Sequence, residues 1–497
     1  MKKDERIVTR PVKKAQIVRD NENELYSDIP FDPFDGEDCD STYDGETCDN
    51  NSDGVDISTV KFAEEIKVDF IPSIDFRIMC RFLGLNSVND VKNHPYSECP
   101  LITMILMESL IHYMESDGYT FEGELNFDRQ GNSIPPEKTV WKIGGKEVSF
   151  TSTGFMYFKN VAKANTNDKS ANLVFYLFTN LEHGVATITC YTPGEKTSEN
   201  VIQKLEAYTK NHNCLRGLKL RDINMYSGDF SEVEPKPDCT WDNYYYPDGV
   251  RDIFDSEVFG FLKNVEKYNA HGITKRGVML FGEPGSGKTT IGHIVCNNVQ
   301  DHTVIWITPE IIQENQSRSY SSIKLLYKLA DFVAPSIIIL EDVDLFGGDR
   351  SRGGDMMGLG SLMNVLDGVN TVLNAVTIAS TNRLDSIETA LRQRPGRFDR
   401  IIEIPALDSD LRMKMFKDRL KEWKYSDEML NHLVARTDKW TGAEAQEFVN
   451  TLNLKSIRSK EEIVELDVKL VDEILEVMNK YGVGKNSSDV FGFGKNT

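Results

Sequence analysis

Apolar and polar positions change rhythm several times along the chain. Over 101–114 the apolar residues, Leu101, Ile105 and Leu110 among them, recur at helical spacing and predict a helix. Further on, 141–143 and 148–153 flank the pair Gly144-Gly145, the pattern of two strands joined by a turn, and 173–179 and 186–191 read as further strands. Together they predict an α+β domain over 61–237. Pro235 and Pro237, followed by Trp241, Tyr244, Tyr245, Tyr246 and Pro247, mark a linker that packs onto the next domain.

Beyond the linker the rhythm becomes regular. Segments 278–281, 303–307, 336–340 and 375–379 are short, continuously apolar and separated by helix-length stretches. Strands that are apolar at every position belong to a parallel sheet covered on both faces, so 238–406 is expected to be an α/β domain. From 407 to 480 the residues turn charged and helical without clear strand runs, which predicts a small helical lid. The last stretch, 481–497, repeats a Gly-aromatic pattern around Phe491-Gly-Phe-Gly and is expected to be a flexible tail.

Composition narrows the classes. The chain has 497 residues, 40% hydrophobic and 27% charged, enough for several cores at roughly 150 residues per domain. No apolar run approaches the ~20 residues that cross a bilayer, so no membrane association is expected. A net charge of -21 repels phosphate backbones on average and disfavours broad nucleic-acid binding. The charge is uneven: Lys2, Lys3, Arg6, Arg10, Lys13, Lys14 and Arg19 precede 21–60, which contains no Lys or Arg. With few aliphatics that acidic stretch cannot bury enough apolar area to order itself, so 1–60 is expected to be a disordered tail. Within it Asp49-Asn-Asn-Ser-Asp53-Gly54 resembles half of a calcium loop, but Val60 stands where the bidentate Glu belongs. Eight cysteines without a C-x-x-C pair, and an N-terminus without an apolar signal core, fit reduced thiols and a cytoplasmic setting. His112, His183 and His212 are isolated and read as ordinary surface or core histidines.

The chemistry concentrates after the first apolar run of the second domain. Gly282, Glu283, Pro284, Gly285, Ser286, Gly287, Lys288, Thr289 and Thr290 satisfy GxxxxGK followed by Thr, between a strand and a helix. Glycines let successive backbone N–H groups face a β-phosphate at a helix N-terminus, Lys288 adds a charge between β- and γ-phosphates, and the Thr289 hydroxyl can ligate Mg²⁺. A strand running into Glu341-Asp342-Val343-Asp344 supplies the acids expected beside such a loop. Glu341 is expected to hold Mg²⁺ through its water shell, and Asp342 to activate the water that attacks the γ-phosphate. After the next strand, Ser380-Thr381-Asn382 offers an amide, Asn382, that can bond both the γ-phosphate and that water. Arg392-Gln-Arg394-Pro-Gly-Arg397-Phe-Asp399 places Arg394 and Arg397 around a turn outside their own cleft, which implies action on a neighbouring subunit's nucleotide.

In this order, over roughly 241–480, the motifs resemble the AAA ATPase family. Leu362-Met-Asn-Val-Leu-Asp-Gly368 resembles the helix before its sensor strand, Arg394-Pro-Gly-Arg397-Phe-Asp399 its arginine-finger segment, and Thr441-Gly442-Ala443-Glu444 the lid signature that borders the nucleotide. The stretch holding Gly272 and Ile273, and the order Glu341-Asp342, are similar to the branch that contains the mitochondrial translocase of the Rieske protein. The resemblance implies that Gly272, Ile273, Gly442 and Ala443 border the nucleotide and that ATP and Mg²⁺ are bound. It also implies a homo-oligomeric ring, hexameric, acting on a protein substrate or adaptor selected by the 61–237 domain. Two departures stand out. Arg392 and Gln393 intervene after Ala390-Leu391, and 311–320 carries Tyr320 as its one aromatic with no Gly after it. Gripping of an unfolded chain by stacked aromatics is therefore not expected. Segment 347–354 would be a second pore-facing loop. The same core also serves ATPases of DNA transactions, such as loaders of clamps or helicases, and nucleotide-dependent scaffolds with little turnover.

Overall fold

Two seven-stranded sheets of opposite character organise the described residues. The computed structural model describes residues 73–86, 90–128, 132–163, 171–193, 195–314, 319–346, 375–384, 398–458 and 465–480, all within one compact unit, Pro72–Thr497. Among the expectations above, the acidic tail, the 347–354 loop, the helix 362–368, Arg392, Arg394, Arg397 and the C-terminal tail lie outside these residues.

The first sheet is antiparallel throughout. Its strands are β1 (Lys92–Tyr96), β2 (Tyr119–Phe127), β3 (Ser133–Ile134), β4 (Glu137–Ile143), β5 (Lys146–Asn160), β6 (Leu173–Asn180) and β7 (Val185–Thr192), ordered β1-β7-β6-β5-β2-β3 with β4 paired to β5. The Gly144-Gly145 turn is as expected: Ile143 faces Lys146 across a two-residue loop, and φ is 55° and 74° at the two glycines. Positive φ at both positions is the type I′ geometry that matches strand twist, and a side chain there would be strained.

One face of this sheet, including Met156, Phe158, Phe175, Leu177, Ile188 and Cys190, packs under the helix Pro100–Ser116, with the helix Glu195–His212 beside it. The 101–114 stripe proves broader than expected. Leu101, Ile102, Met104, Ile105 and Leu106 are all fully buried, so this helix is enclosed on nearly every side rather than amphipathic. Proline at its start loses no hydrogen bond, because the first N–H groups of a helix have no partner within it.

The second sheet contains β8 (Lys219–Arg221), β9 (Ser231–Glu232), β10 (Lys275–Phe281), β11 (Thr303–Ile307), β12 (Ser336–Leu340), β13 (Ala375–Thr381) and β14 (Arg400–Glu403), in the order β14-β10-β13-β12-β11-β8-β9. Every pairing is parallel except that of β8 with β9. Side chains alternate between two cores. Met279, Ile305, Ile307, Ile338 and Leu340 face the helix Ser319–Phe332, while Leu280, Val304, Trp306, Ile337 and Ile339 face the helix Lys288–Asn298. Coverage of both faces is what the continuous apolar runs foretold.

The boundary expected at 237 is displaced by this sheet. β8 and β9 precede it, yet they extend the parallel sheet at the edge beyond β11, with Leu220 fully buried. Lys219 Nζ fastens that edge by donating to the carbonyls of Gly217 and His302, both at 2.8 Å. Leu215, Leu220, Ile223 and Met225 belong to the same apolar cluster as the Pro100–Ser116 helix and the Ser319–Phe332 helix, so that core runs unbroken from the antiparallel sheet into the parallel one.

The expected lid is a cluster of four helices, Ser409–Arg419, Asp427–Arg436, Gly442–Arg458 and Val468–Lys480, around Phe416, Leu433, Phe448 and Ile474. All four start with a side-chain cap, that of the last being Asp467, which accepts from Leu470 N at 2.7 Å. Asp408 accepts from Leu411 N at 2.8 Å and Ser426 from Met429 N at 3.1 Å. At Thr441 a reciprocal box forms: Glu444 accepts from Thr441 N at 2.7 Å, and Thr441 Oγ1 accepts from Glu444 N at 3.4 Å. Thr441-Gly-Ala-Glu444 is thus first of all a helix start. Among the described residues no helix is long and apolar enough to cross a membrane.

Candidate nucleotide-binding site

All parallel strands point their carboxyl ends the same way, so the segments that follow β10, β12 and β13 meet at one edge of the sheet. There a cavity of about 570 Å³ is lined by 284–290, Asp342 and Asn382, by Tyr244, Tyr245 and Tyr246 of the linker, and by Leu407, Met415, Arg419, Gly442, Ala443 and Gln446 of the lid. The volume falls in the range of roughly 300–1,000 Å³ usual for small-molecule sites.

Local sterics explain the loop sequence. Gly285 has φ of 81°, and a Cβ there would lie 2.8 Å from the Ala443 methyl, so a lid residue can seat on the loop only while position 285 is bare. The seat is fixed by Ala443 N, which donates to Gly285 O at 3.2 Å. Gly287 has φ of 99°, and a Cβ would meet the Tyr246 hydroxyl at 2.9 Å. That hydroxyl donates to Gly287 O at 2.9 Å.

Lys288 opens the helix Lys288–Asn298 and is buried. Its Nζ donates to Gly282 O at 2.9 Å, Glu283 O at 3.0 Å and Ser286 Oγ at 3.4 Å, which curls the loop around the ammonium. Burial holds Lys288 below the ordinary lysine range, opposed by the carboxylates of Asp342 and Asp344. Thr289 is exposed and lines the cavity with Thr290.

The acids divide their positions. Asp342 reaches the cavity with its backbone in the left-handed region, φ 43°, a conformation an L residue keeps only when its surroundings hold it. The hold comes from the neighbouring strand: Asp342 N donates to Ser380 Oγ at 3.3 Å, and Asn382 Nδ2 donates to Asp342 Oδ1 at 2.9 Å. Burial raises the Asp342 carboxyl above the usual carboxylate range, with Asp344 and Glu341 adding to the shift and Lys288 and Asn382 opposing it. Asp344 accepts from Thr381 Oγ1 at 2.8 Å and from Asn382 N at 3.3 Å, binding the end of β13 to the turn after β12.

Glu341 does not line the cavity. Its N–H donates to Ile307 O at 2.9 Å, and its Oε1 is buried without a hydrogen-bond partner. An orphaned anionic oxygen next to the Asp342 turn fits a hydrated cation, and the exposed Thr289 hydroxyl is a second hard oxygen ligand, so the residues present suit Mg²⁺. Among the described residues no group of three or more His, Cys, Asp or Glu is gathered for a metal. Mg²⁺ needs no such cage, because it keeps several waters and takes substrate phosphates as ligands.

Gly272 and Ile273, expected to border the nucleotide, form a helix ending. Ile273 N donates to Tyr268 O and Gly272, at φ 76°, sits in the left-handed position, which is the Schellman ending of the helix Val265–Ala270. Neither residue lines the cavity; the linker tyrosines occupy that wall instead. Tyr320 falls at the start of the helix Ser319–Phe332 rather than in an open loop. Beyond the arginine segment the anchorage is visible. Asp399 Oδ2 accepts from Gly277 N at 2.8 Å, Arg276 lies 3.3 Å from Asp399 Oδ1 and 3.6 Å from Glu257 Oε2, and Arg400 lies 2.8 Å from Glu257 Oε1.

Asp344, Ser380 and Tyr246 stood in the sequence reading without an individual role at the site, and Arg419 and Gln446 did not figure in it. Asp344 had a signal, one acid two residues beyond Asp342. Arg419 and Gln446 had none, because only the folded lid brings them to the cavity.

A phosphate loop at the carboxyl edge of a parallel sheet, faced by an acid and an amide and capped by a helical lid, defines a P-loop nucleotide-binding domain. Residues 278–406 match the profile of the ATPase family associated with various cellular activities (AAA). The chain is 30% identical over 258 residues to a proteasome-activating nucleotidase of Methanopyrus kandleri, covering 49% of this chain and 58% of that protein. It is 29% identical over 231 residues to the 26S proteasome regulatory subunit 4 homolog B of Arabidopsis thaliana, covering 45% and 52%. A proteasome-activating nucleotidase of Saccharolobus solfataricus is 30% identical over 236 residues, covering 46% and 58%. The chain thus spans a little over half the length of these relatives. Their names refer to the proteasome, not specifically to the Rieske-translocase branch.

Proposed function

We propose that the chain hydrolyses ATP with Mg²⁺ and, as a cytoplasmic homo-oligomeric ring of six subunits, uses the cycle to remodel or translocate a protein partner. The observation that carries this reading is the convergence of Lys288, Asp342 and Asn382 on a cavity that also includes lid residues Gly442 and Ala443. Lys288 would bind the β- and γ-phosphates, and Asn382 would orient Asp342, whose carboxylate takes a proton from water as it attacks. Thr289 and Glu341 would hold Mg²⁺, which when bound neutralises phosphate charge. Arg394 and Arg397 would act on the neighbouring subunit's γ-phosphate, with Asp399, Arg276 and Glu257 rooting their segment. Contacts that exist only with ATP bound would bias the lid between two packings, which is the source of mechanical output. A protein partner is favoured because two of the relatives above are named for activating a proteasome. The order Glu341-Asp342 keeps a likeness to the Rieske-translocase branch.

The test is phosphate release by wild type and by Asp342→Asn, with size measured by light scattering with and without ATP. Turnover by wild type, its loss in Asp342→Asn, and an ATP-dependent ring support the reading. Near-zero release by both proteins leaves a nucleotide-dependent scaffold. Binding to DNA with a steep salt slope would move the substrate to nucleic acid. Arg394→Ala and Arg397→Ala should each bind ATP without hydrolysing it and recover turnover when mixed with Asp342→Asn subunits. No recovery in the mixtures would place the arginines' action within one chain.

A further inference from the structure

The linker tyrosines do more than line a wall. We propose that Tyr245 is a positioning residue that latches the lid, and that Tyr246, one residue on, ties the same backbone to the phosphate loop, so that lid position and nucleotide retention are coupled. The inference rests on the nucleotide reading of the cavity.

The linker is pinned at both ends of one helix. At the far end of Lys288–Asn298, Asn297 Nδ2 donates to the carbonyls of Lys236 and Cys239, both at 2.8 Å. At the near end the Tyr246 hydroxyl donates to Gly287 O at 2.9 Å, and its ring meets Trp241 edge to face at 5.6 Å, which in turn lies 5.6 Å from the fully buried Phe254. Tyr246 is therefore a fixed point on the ATPase core. Tyr245 turns the other way. Its hydroxyl donates to Asp418 Oδ2 at 2.8 Å, on the lid helix Ser409–Arg419, and the Lys414 ammonium of that helix lies 5.9 Å from its ring centroid.

Hydrogen bonds tolerate only a few tenths of an ångström before they weaken, and a single peptide unit separates these two tyrosines. Displacement of the lid must either break the bond to Asp418 or pull on the backbone that holds Tyr246 against the loop. Met415 and Arg419 of the same lid helix line the cavity, so a ligand there bears on the latch from within. By linkage, a latch that steadies the lid slows nucleotide escape, and nucleotide steadies the latch.

The test is a double-mutant cycle with Tyr245→Phe and Asp418→Asn, read by the dissociation rate of ADP labelled at the ribose with a fluorescent anthraniloyl group. Each single substitution should speed release about three- to tenfold, and the double variant should release no faster than the faster single one. In the nucleotide-free protein, amide exchange along 409–419 should rise in Tyr245→Phe, while Tyr246→Phe should raise exchange around 285–290 instead. Release within twofold of wild type, additive effects in the double variant, or unchanged exchange along 409–419 would overturn the latch. Failure of the nucleotide reading looks different: wild type would retain no labelled ADP, and the exchange arm would still decide whether Tyr245 steadies the lid.

Discussion

The two sheets have the same number of strands and opposite consequences for chemistry. In the parallel sheet β10, β12 and β13 all end at one edge, so residues as far apart in sequence as Lys288, Asp342 and Asn382 arrive at one cavity. In the antiparallel sheet neighbouring strands end at opposite edges, and its helix-covered face holds apolar packing. The contrast teaches that strand direction alone gathers loops into a site, whereas alternation spreads them.

Breaking the loop should have the largest effect. Lys288→Ala removes the charge around which the loop closes, and nucleotide binding, followed by calorimetry, should fall below detection while the folded state persists. Next comes the acid. Asp342→Asn should lower kcat by about 10²–10⁴, the usual scale for a lost general base. The same substitution sharpens the electrostatic side of the contrast. The folded state raises the Asp342 carboxyl, so its ionisation costs stability progressively as the pH rises from the ordinary carboxylate range to that raised value, and the full cost remains above it. At pH 7 Asp342→Asn should therefore melt higher than wild type. The gap should narrow as the pH falls below the raised value and close in the ordinary carboxylate range, where wild-type Asp342 is neutral in the folded and the unfolded chain alike. A gap that widens on acidification would reverse the assigned shift.

On the antiparallel side Phe175→Ala, at a fully buried position, should cost about 3–5 kcal/mol of unfolding free energy. Activity per folded molecule should stay unchanged, because Phe175 lies under the helix-covered face and not at the cavity. Lost turnover in the folded fraction would show that the two sheets are functionally coupled. The smallest effect belongs to Thr441→Ala, which dismantles the capping box and should cost about 1 kcal/mol. Thermal melting is the measurement in both cases.

Much of this was written plainly in the sequence. Strands 303–307 and 336–340 were legible because both faces of the parallel sheet are covered, which leaves no polar alternation to confuse them with a helix surface. The Gly144-Gly145 hairpin was legible because a two-residue turn demands positive φ. β8 was not, since Lys-Leu-Arg offers one apolar residue and its pairing to β11 is decided by contacts more than 80 residues away. The wall made by Tyr244, Tyr245 and Tyr246 was read as a linker; their composition showed packing, but only the folded lid reveals that Tyr245 and Tyr246 part in opposite directions. Gly272 was assigned to the nucleotide by resemblance, while its local geometry is that of a helix ending.

Leu215, Leu220, Ile223 and Met225 sit in an apolar mass shared by both sheets, so among the described residues the two sheets are welded through one core and resist swinging apart. Excision at 237 would strip the parallel sheet of the strands at its β8-β9 edge and bare greasy surface on both fragments. Heated intact, these two parts should come undone in one cooperative step, and a load borne by the antiparallel sheet would reach the cavity edge of the parallel sheet through solid packing.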